Sequence, residues 1–261
     1  MSLKSFINPD FEALLTRHGF TDFEGLWHLE AGWFEAPNKR RGGWSGVSKC
    51  AWQTAQGDYV SVFLKRQENH NAKTWQHPIK GVPTFAREME NILEYQKHQI
   101  PTLTPVFFAH RRVQGKDQAM LVTESLEHYQ SLEDWIQHWQ QQAWPNKPQR
   151  EQILTELARV LALLHEHQLQ HNCLYPKHLF MQWTPGACPS IKLIDLEKTR
   201  PKATQKAMLR DLSSLYRHLG TRRIRDQISF LRHYLKLPRL NPEAKALWYE
   251  IDARVQKKNK A

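Results

Sequence analysis

The sequence predicts an α+β protein built in two successive parts, a small β-rich first part and a larger helical second part. Three observations carry this expectation. Apolar runs up to about residue 124 are short and strand-like, apolar residues after residue 130 recur at three- and four-residue steps, and 261 residues suffice for one two-lobed domain with a substantial core. The division is expected between residues 124 and 125, giving parts 1–124 and 125–261.

In the first part, strands are expected over Asp58–Leu64 (DYVSVFL), Leu103–Ala109 and Ala119–Thr123 (AMLVT), because each is short, apolar and bounded by Gly, Asn or Asp. One helix, about Thr84–Gln99, interrupts them. The second part opens with Ser131 and Asp134 in capping-box spacing ahead of Trp135, Ile136 and Trp139. Leu154, Leu157, Val160, Leu161 and Leu164 then form the stripe of a buried helix face. The run Ile191–Asp195 reads as a strand inside this helical half, and helices resume near Lys206.

Composition excludes several classes. With 40% hydrophobic and 24% charged residues the chain is neither disordered nor fibrous. No apolar run approaches the roughly 20 residues that span a bilayer, and Met1-Ser2-Leu3-Lys4 lacks the apolar stretch of a signal peptide, so a cytoplasmic chain is expected. Cys50, Cys173 and Cys188 form no CxxC pair and no zinc-ligand spacing, which suits a reducing compartment. The net charge of +11 is concentrated: from Arg200 onward 16 Lys and Arg stand against 5 Asp and Glu, an excess equal to the whole net charge. Such a basic third fits nucleic acid, an anionic membrane surface or an anionic substrate, with a plain solvated basic face as the bland alternative. No recognition-helix or RNA-binding motif accompanies it, so nucleic acid is not the expected partner.

Five short motifs carry the chemistry through their order. RGGWSGV, Arg41–Val47, has glycines that let backbone N–H groups approach a phosphate, although Gly-rich hairpins are common. Lys65 ends an apolar strand 19 residues beyond Gly46, where an unpaired ammonium is costly. Its partner candidate is Glu88, 23 residues later at the start of the lone helix. The long helix then runs into the polar loop His171-Asn172-Cys173-Leu174-Tyr175-Pro176-Lys177-His178. Asp195 leaves a buried strand 22 residues after Cys173, and Asp211 lies on the following helix.

In these motifs the chain resembles the protein-kinase-like superfamily, and within it the bacterial lipopolysaccharide kinase (Kdo/WaaP) family. RGGWSGV, FLKRQENH, FAREMENI, LVTESL, HNCLYPKH and LIDLEKTRP are similar to those of its InaA-like members and span roughly residues 38–215. The resemblance implies a bilobal protein-kinase-like fold that uses ATP and Mg²⁺. It puts Gly43 and Gly46 on the second and third glycines of the phosphate loop, with Arg41 where the first would stand. It makes Lys65 the phosphate-holding lysine, Glu88 its helix partner, and Glu124 a hinge residue contacting adenine through backbone groups. Asp195 takes the place of the magnesium-binding aspartate and Asp211 that of the aspartate bracing the catalytic loop.

The departures lie in the loop itself. Kinases read HxDxxxxN; here His171, Cys173 and His178 occupy those places. A thiol with an ordinary pKa near 8.5 is mostly neutral at pH 7 and is no substitute for a carboxylate base, whose loss costs roughly 10²–10⁴ in rate. Resembling lipopolysaccharide kinases also carry histidine at the position of His178, and an imidazole there can ligate the metal together with Asp195. The expectation is an ATP-dependent phosphotransferase acting on a sugar of a lipopolysaccharide core or a related anionic glycolipid, with peripheral contact to the anionic inner leaflet. The competing expectation is a nucleotide-binding pseudokinase with a regulatory role.

Overall fold

The structure, a computed structural model, describes residues 3–40, 42–73, 78–219 and 223–259. The chain forms two compact units. One comprises residues up to Glu94 with Leu103–Glu127; the other comprises Tyr95–Thr102 with the residues from His128 onward.

The first unit begins with strand β1 (Ser5–Ile7), helices α1 (Glu12–Arg17) and α2 (Phe23–Trp27), and continues into strands β2 (Trp33–Arg40), β3 (Gly43–Gln53) and β4 (Tyr59–Glu68). After the short pair β5 (Asn71–Ala72) and β6 (Val82–Pro83) come helix α3 (Thr84–Lys97) and strands β7 (Pro105–Val113) and β8 (Lys116–Glu124). The six long-range strands form one antiparallel sheet in the order β1-β7-β8-β4-β3-β2. Alternation in β4 explains its two faces. Val62 and Leu64 are fully buried in a core with Leu15, Leu26, Trp52, Val106 and Val122, while Lys65 projects from the other face. Helices α1 and α2 were not expected from the sequence. They are 6 and 5 residues long, too short for an apolar period, and are fixed by Leu15 and Leu26 docking into that core.

The second unit adds β9 (Gln130–Ser131), helix α4 (Leu132–Gln141) and the 20-residue helix α5 (Lys147–Glu166). Ser131 caps α4 as its spacing predicts, its hydroxyl accepting from the Asp134 N–H at 3.0 Å. In α5, Leu157, Val160, Leu161 and Leu164 are buried, while Leu154 is half-buried. Strands β10 (Leu169–Gln170), β11 (Leu179–Gln182), β12 (Ser190–Leu193) and β13 (Arg200–Pro201) frame the loops between helices, pairing β10 with β13 and β12 with β11 and β9. Helices α6 (Thr204–His218), α7 (Ile224–Tyr234) and α8 (Pro242–Asn259) complete the unit. Among the described residues no helix is long and apolar enough to cross a membrane.

Candidate active site

In the first unit the site residues are set by the sheet. β2 and β3 form a hairpin in which Arg40 pairs with Gly43. Arg41 lies outside the described residues. Close approach of backbone requires glycine at Gly43, and close approach of a side chain favours it at Gly46. A Cβ on Gly43 would sit 2.0 Å from the Glu68 carbonyl oxygen, and one on Gly46 would sit 2.6 Å from the Trp33 ring. Gly46 is therefore covered by an indole, which is itself capped by the Arg66 guanidinium 4.8 Å from the ring centre. Its smallness serves packing within the hairpin, a reason the glycine spacing alone did not reveal.

Lys65 pairs across the sheet with Val47 and Leu121, and this aims its ammonium at α3. Nζ lies 2.6 Å from Glu88 Oε1, the two side chains 17% and 5% exposed. An ion pair this dry costs desolvation that only good geometry offsets, so it signals a constraint other than stability. At the end of β8, the Glu124 N–H donates to the Thr104 carbonyl at 2.9 Å. That N–H is thereby committed to the backbone of the first unit.

In the second unit the loop after β10 is held by its backbone. Asp211 on α6, 1% exposed, accepts from the N–H of His171 at 2.7 Å, from the N–H of Asn172 at 3.0 Å and from His165 Nε2 at 3.3 Å. His165 Nδ1 meets the Tyr234 hydroxyl at 2.8 Å, tying α7 to the same carboxylate. These bonds stabilise the left-handed backbone of Asn172, φ 66°.

His171 is fully buried. Its Nε2 donates to the Ile194 carbonyl at 3.0 Å and its Nδ1 accepts from the Cys173 N–H at 3.3 Å. Burial pushes its pKa below the ordinary value, against the opposing pull of Asp211, so the ring is neutral. Both ring nitrogens are spent on backbone groups, and His171 positions the loop against the strand that delivers Asp195.

Cys173 is 5% exposed, and burial pushes its thiol up, with Lys198 opposing through a hydrogen bond and its charge. The Cys173 side chain is therefore a neutral thiol. Lys198 also lies 3.8 Å from Glu197. No sequence signal selects Lys198, which ends the short helical turn Leu196–Lys198 directly after Asp195.

His178 donates from Nδ1 to the Cys173 carbonyl at 2.8 Å, which leaves the Nε2 lone pair facing Asp195 Oδ2 at 3.3 Å. Asp195 itself is in the left-handed region, φ 60° and ψ 56°, and its side chain is 35% exposed. An imidazole nitrogen and a carboxylate oxygen so placed fit a divalent cation. No group of three or more candidate ligands exists among the described residues, so such an ion would keep positions for phosphate oxygens and water.

The strand lysine paired to a helix glutamate, together with a loop braced by a buried aspartate, defines a kinase-like protein. A family model described as "Lipopolysaccharide kinase (Kdo/WaaP) family" matches residues 24–234, and the chain belongs to that family. Protein InaA of Escherichia coli (strain K12) is 28% identical over 201 residues, covering 77% of this chain and 89% of that protein. In fold the chain is similar to a solved structure of WaaP in complex with acyl carrier protein, with a TM-score of 0.69, 19% identity, and coverage of 98% and 99% of the two chains.

Proposed function

We propose that the chain is an ATP- and Mg²⁺-dependent kinase that phosphorylates lipopolysaccharide core or a related anionic glycolipid, working in the cytoplasm at the inner-membrane surface. The observation that carries this reading is the 2.6 Å Lys65–Glu88 pair, which holds an ammonium at one point in a dry setting. Lys65 would supply positive charge to the ATP phosphates, steadied by Glu88. His178 and Asp195 would hold the metal, which when bound neutralises charge on the transferring phosphoryl group. Asp211, His165 and His171 position the loop, and the backbone of the segment ending at Glu124 would meet the adenine. The basic third would hold the protein to an anionic leaflet.

The test is a thermal shift with Mg-ATP. Wild type should gain stability and Lys65→Met should not, while both remain folded; no shift in wild type would refute nucleotide binding altogether.

A pseudokinase is the second reading, favoured by the neutral thiol of Cys173. Phosphoryl transfer through a loose transition state leans on positioning and electrostatics, so a missing base slows the reaction without abolishing it. Cys173→Asp should then raise transfer to a sugar hydroxyl by roughly one to three orders of magnitude. A Cys173→Asp variant that binds ATP and transfers nothing would decide for the pseudokinase.

An acyl carrier protein is a further proposed partner. An apolar groove lined by Leu132, Ile136, Trp139, Leu157 and Phe230, with Arg150 paired to Asp226 at its rim, has the apolar character an acyl chain requires.

A further inference from the structure

We propose that Gln67 is a positioning residue for Lys65: its buried amide ties the start of α3 to β4 and so fixes Glu88 opposite the ammonium. This rests on the kinase reading above, in which Lys65 meets the ATP phosphates, and names what aims it.

Gln67 lies two residues beyond Lys65 on β4, so the two side chains leave the same face of the strand about 7 Å apart. Thr84 and Glu88 stand four residues apart on one face of α3, about 6 Å along its axis. The two spacings match, and strand and helix are joined at both levels. Lys65 Nζ reaches Glu88 Oε1 at 2.6 Å. One step along, Gln67 Oε1 accepts from Thr84 Oγ1 at 2.8 Å and from the Phe85 N–H at 2.9 Å. The Phe85 N–H only donates, which fixes the amide oxygen on the helix side. At the amide's other end Nε2 donates to the His70 carbonyl at 2.9 Å, and that carbonyl also accepts from the Thr84 N–H at 3.4 Å. Because the Thr84 hydroxyl gives its proton to Gln67, His70 Nδ1, 3.3 Å away, donates to the hydroxyl oxygen.

Gln67 is fully buried and Thr84 nearly so. Burying an amide costs free energy unless its hydrogen bonds are made, and capping a helix does not by itself call for one. A Ser, Asp or Asn directly before α3 would satisfy the same N–H from within the loop. The sequence has Pro83 there, with no side-chain acceptor, and the acceptor comes from 17 and 18 residues upstream, on the strand that carries Lys65. An ion pair alone is a single point about which a helix can pivot. The second contact removes that freedom, so the ammonium is held in place before nucleotide arrives.

The experiment titrates the full chain with Mg-ATP calorimetrically and measures ligand-free stability in urea. Gln67→Met keeps the side chain's length and removes its polar end. It should weaken Mg-ATP by about tenfold, the loss expected when a bond to a charged group is misplaced. Val106→Ala opens the core on the other face of the sheet and controls for stability alone. It should lower the urea midpoint and leave Mg-ATP affinity unchanged. If Gln67→Met does not fold, Thr84→Val and Thr84→Ser carry the test. The valine, which leaves the Phe85 bond in place, should weaken Mg-ATP about threefold, and the serine, which keeps the hydroxyl, should match wild type. Gln67→Met binding Mg-ATP as tightly as wild type overturns the inference and leaves the kinase reading standing. Equal weakening by Gln67→Met and Val106→Ala does the same, as does Thr84→Val indistinguishable from Thr84→Ser. Absence of Mg-ATP binding by wild type brings down the kinase reading, and this inference with it.

Discussion

Replacing Asp211 with Asn changes one oxygen into NH₂ and removes the charge, leaving the volume nearly constant. Asp211 now accepts three hydrogen bonds, from His165 Nε2 and from the N–H groups of His171 and Asn172. The amide has a single acceptor oxygen, so one backbone N–H comes to face another donor, costing about 1–3 kcal/mol. The remaining bonds fall from charge-assisted to neutral strength, roughly half, which adds about 1 kcal/mol each. The total is about 3–5 kcal/mol, or about 6–20 °C in Tm for a chain of this size. Calorimetry reads the stability, and hydrogen exchange on the peptide covering residues 168–175 reads the loop. The exchange of His171 and Asn172 should accelerate more than that of α5. A loss under about 1 kcal/mol with unchanged exchange in the loop would falsify the claim that this carboxylate holds it.

The buried, neutral His171 gives a pH signature. Its folded pKa lies below the ordinary value of 6.5, so the unfolded chain takes up a proton first as pH falls. Stability from this group is full above about pH 6.5 and declines below it toward the folded pKa, and urea midpoints between pH 5 and 7.5 should show a decline that His171→Asn lacks. Gly46→Ala puts a Cβ against the Trp33 ring at 2.6 Å, but that indole is 42% exposed and can swing outward, so the cost should be about 1 kcal/mol with a changed near-ultraviolet tryptophan signal. Vesicles with anionic lipid should retain the protein at low salt and release it as ionic strength rises, since surface charges are screened within about 10 Å at 0.1 M; equal retention on neutral vesicles would sink the electrostatic account.

The elements legible in the sequence were those whose period is carried by the core. β4, β7, β8, α3, α4 and α5 each show in their apolar spacing, and Ser131 marks the start of α4. The strand β2 was not legible as a core element, because all eight of its residues are exposed and its place is set by pairing with β3. In the site, Lys65 and Glu88 could be matched because the sheet and the helix that carry them have recognisable patterns. Lys198 could not, because its contact with Cys173 depends on a left-handed turn at Asp195 that no side-chain period encodes. His171 is legible as a loop residue, whereas its two ring partners, the Ile194 carbonyl and the Cys173 N–H, depend on the folded loop and follow from no sequence period.

The same bonds bear on why a thiol is tolerated at the base position. Asp211 holds the N–H groups of His171 and Asn172, His171 holds the Cys173 N–H and the Ile194 carbonyl, and His178 holds the Cys173 carbonyl. Each of these contacts is to backbone, so the path of the loop does not depend on which side chain residue 173 carries. The side chain of residue 173 can therefore change without displacing His178, and the His178–Asp195 contact at 3.3 Å stays in place. The chemistry at residue 173 is separable from the scaffold for this reason. The near-isosteric Cys173→Ser should accordingly change Tm little, in contrast to Asp211→Asn, which loosens the loop and lowers stability together.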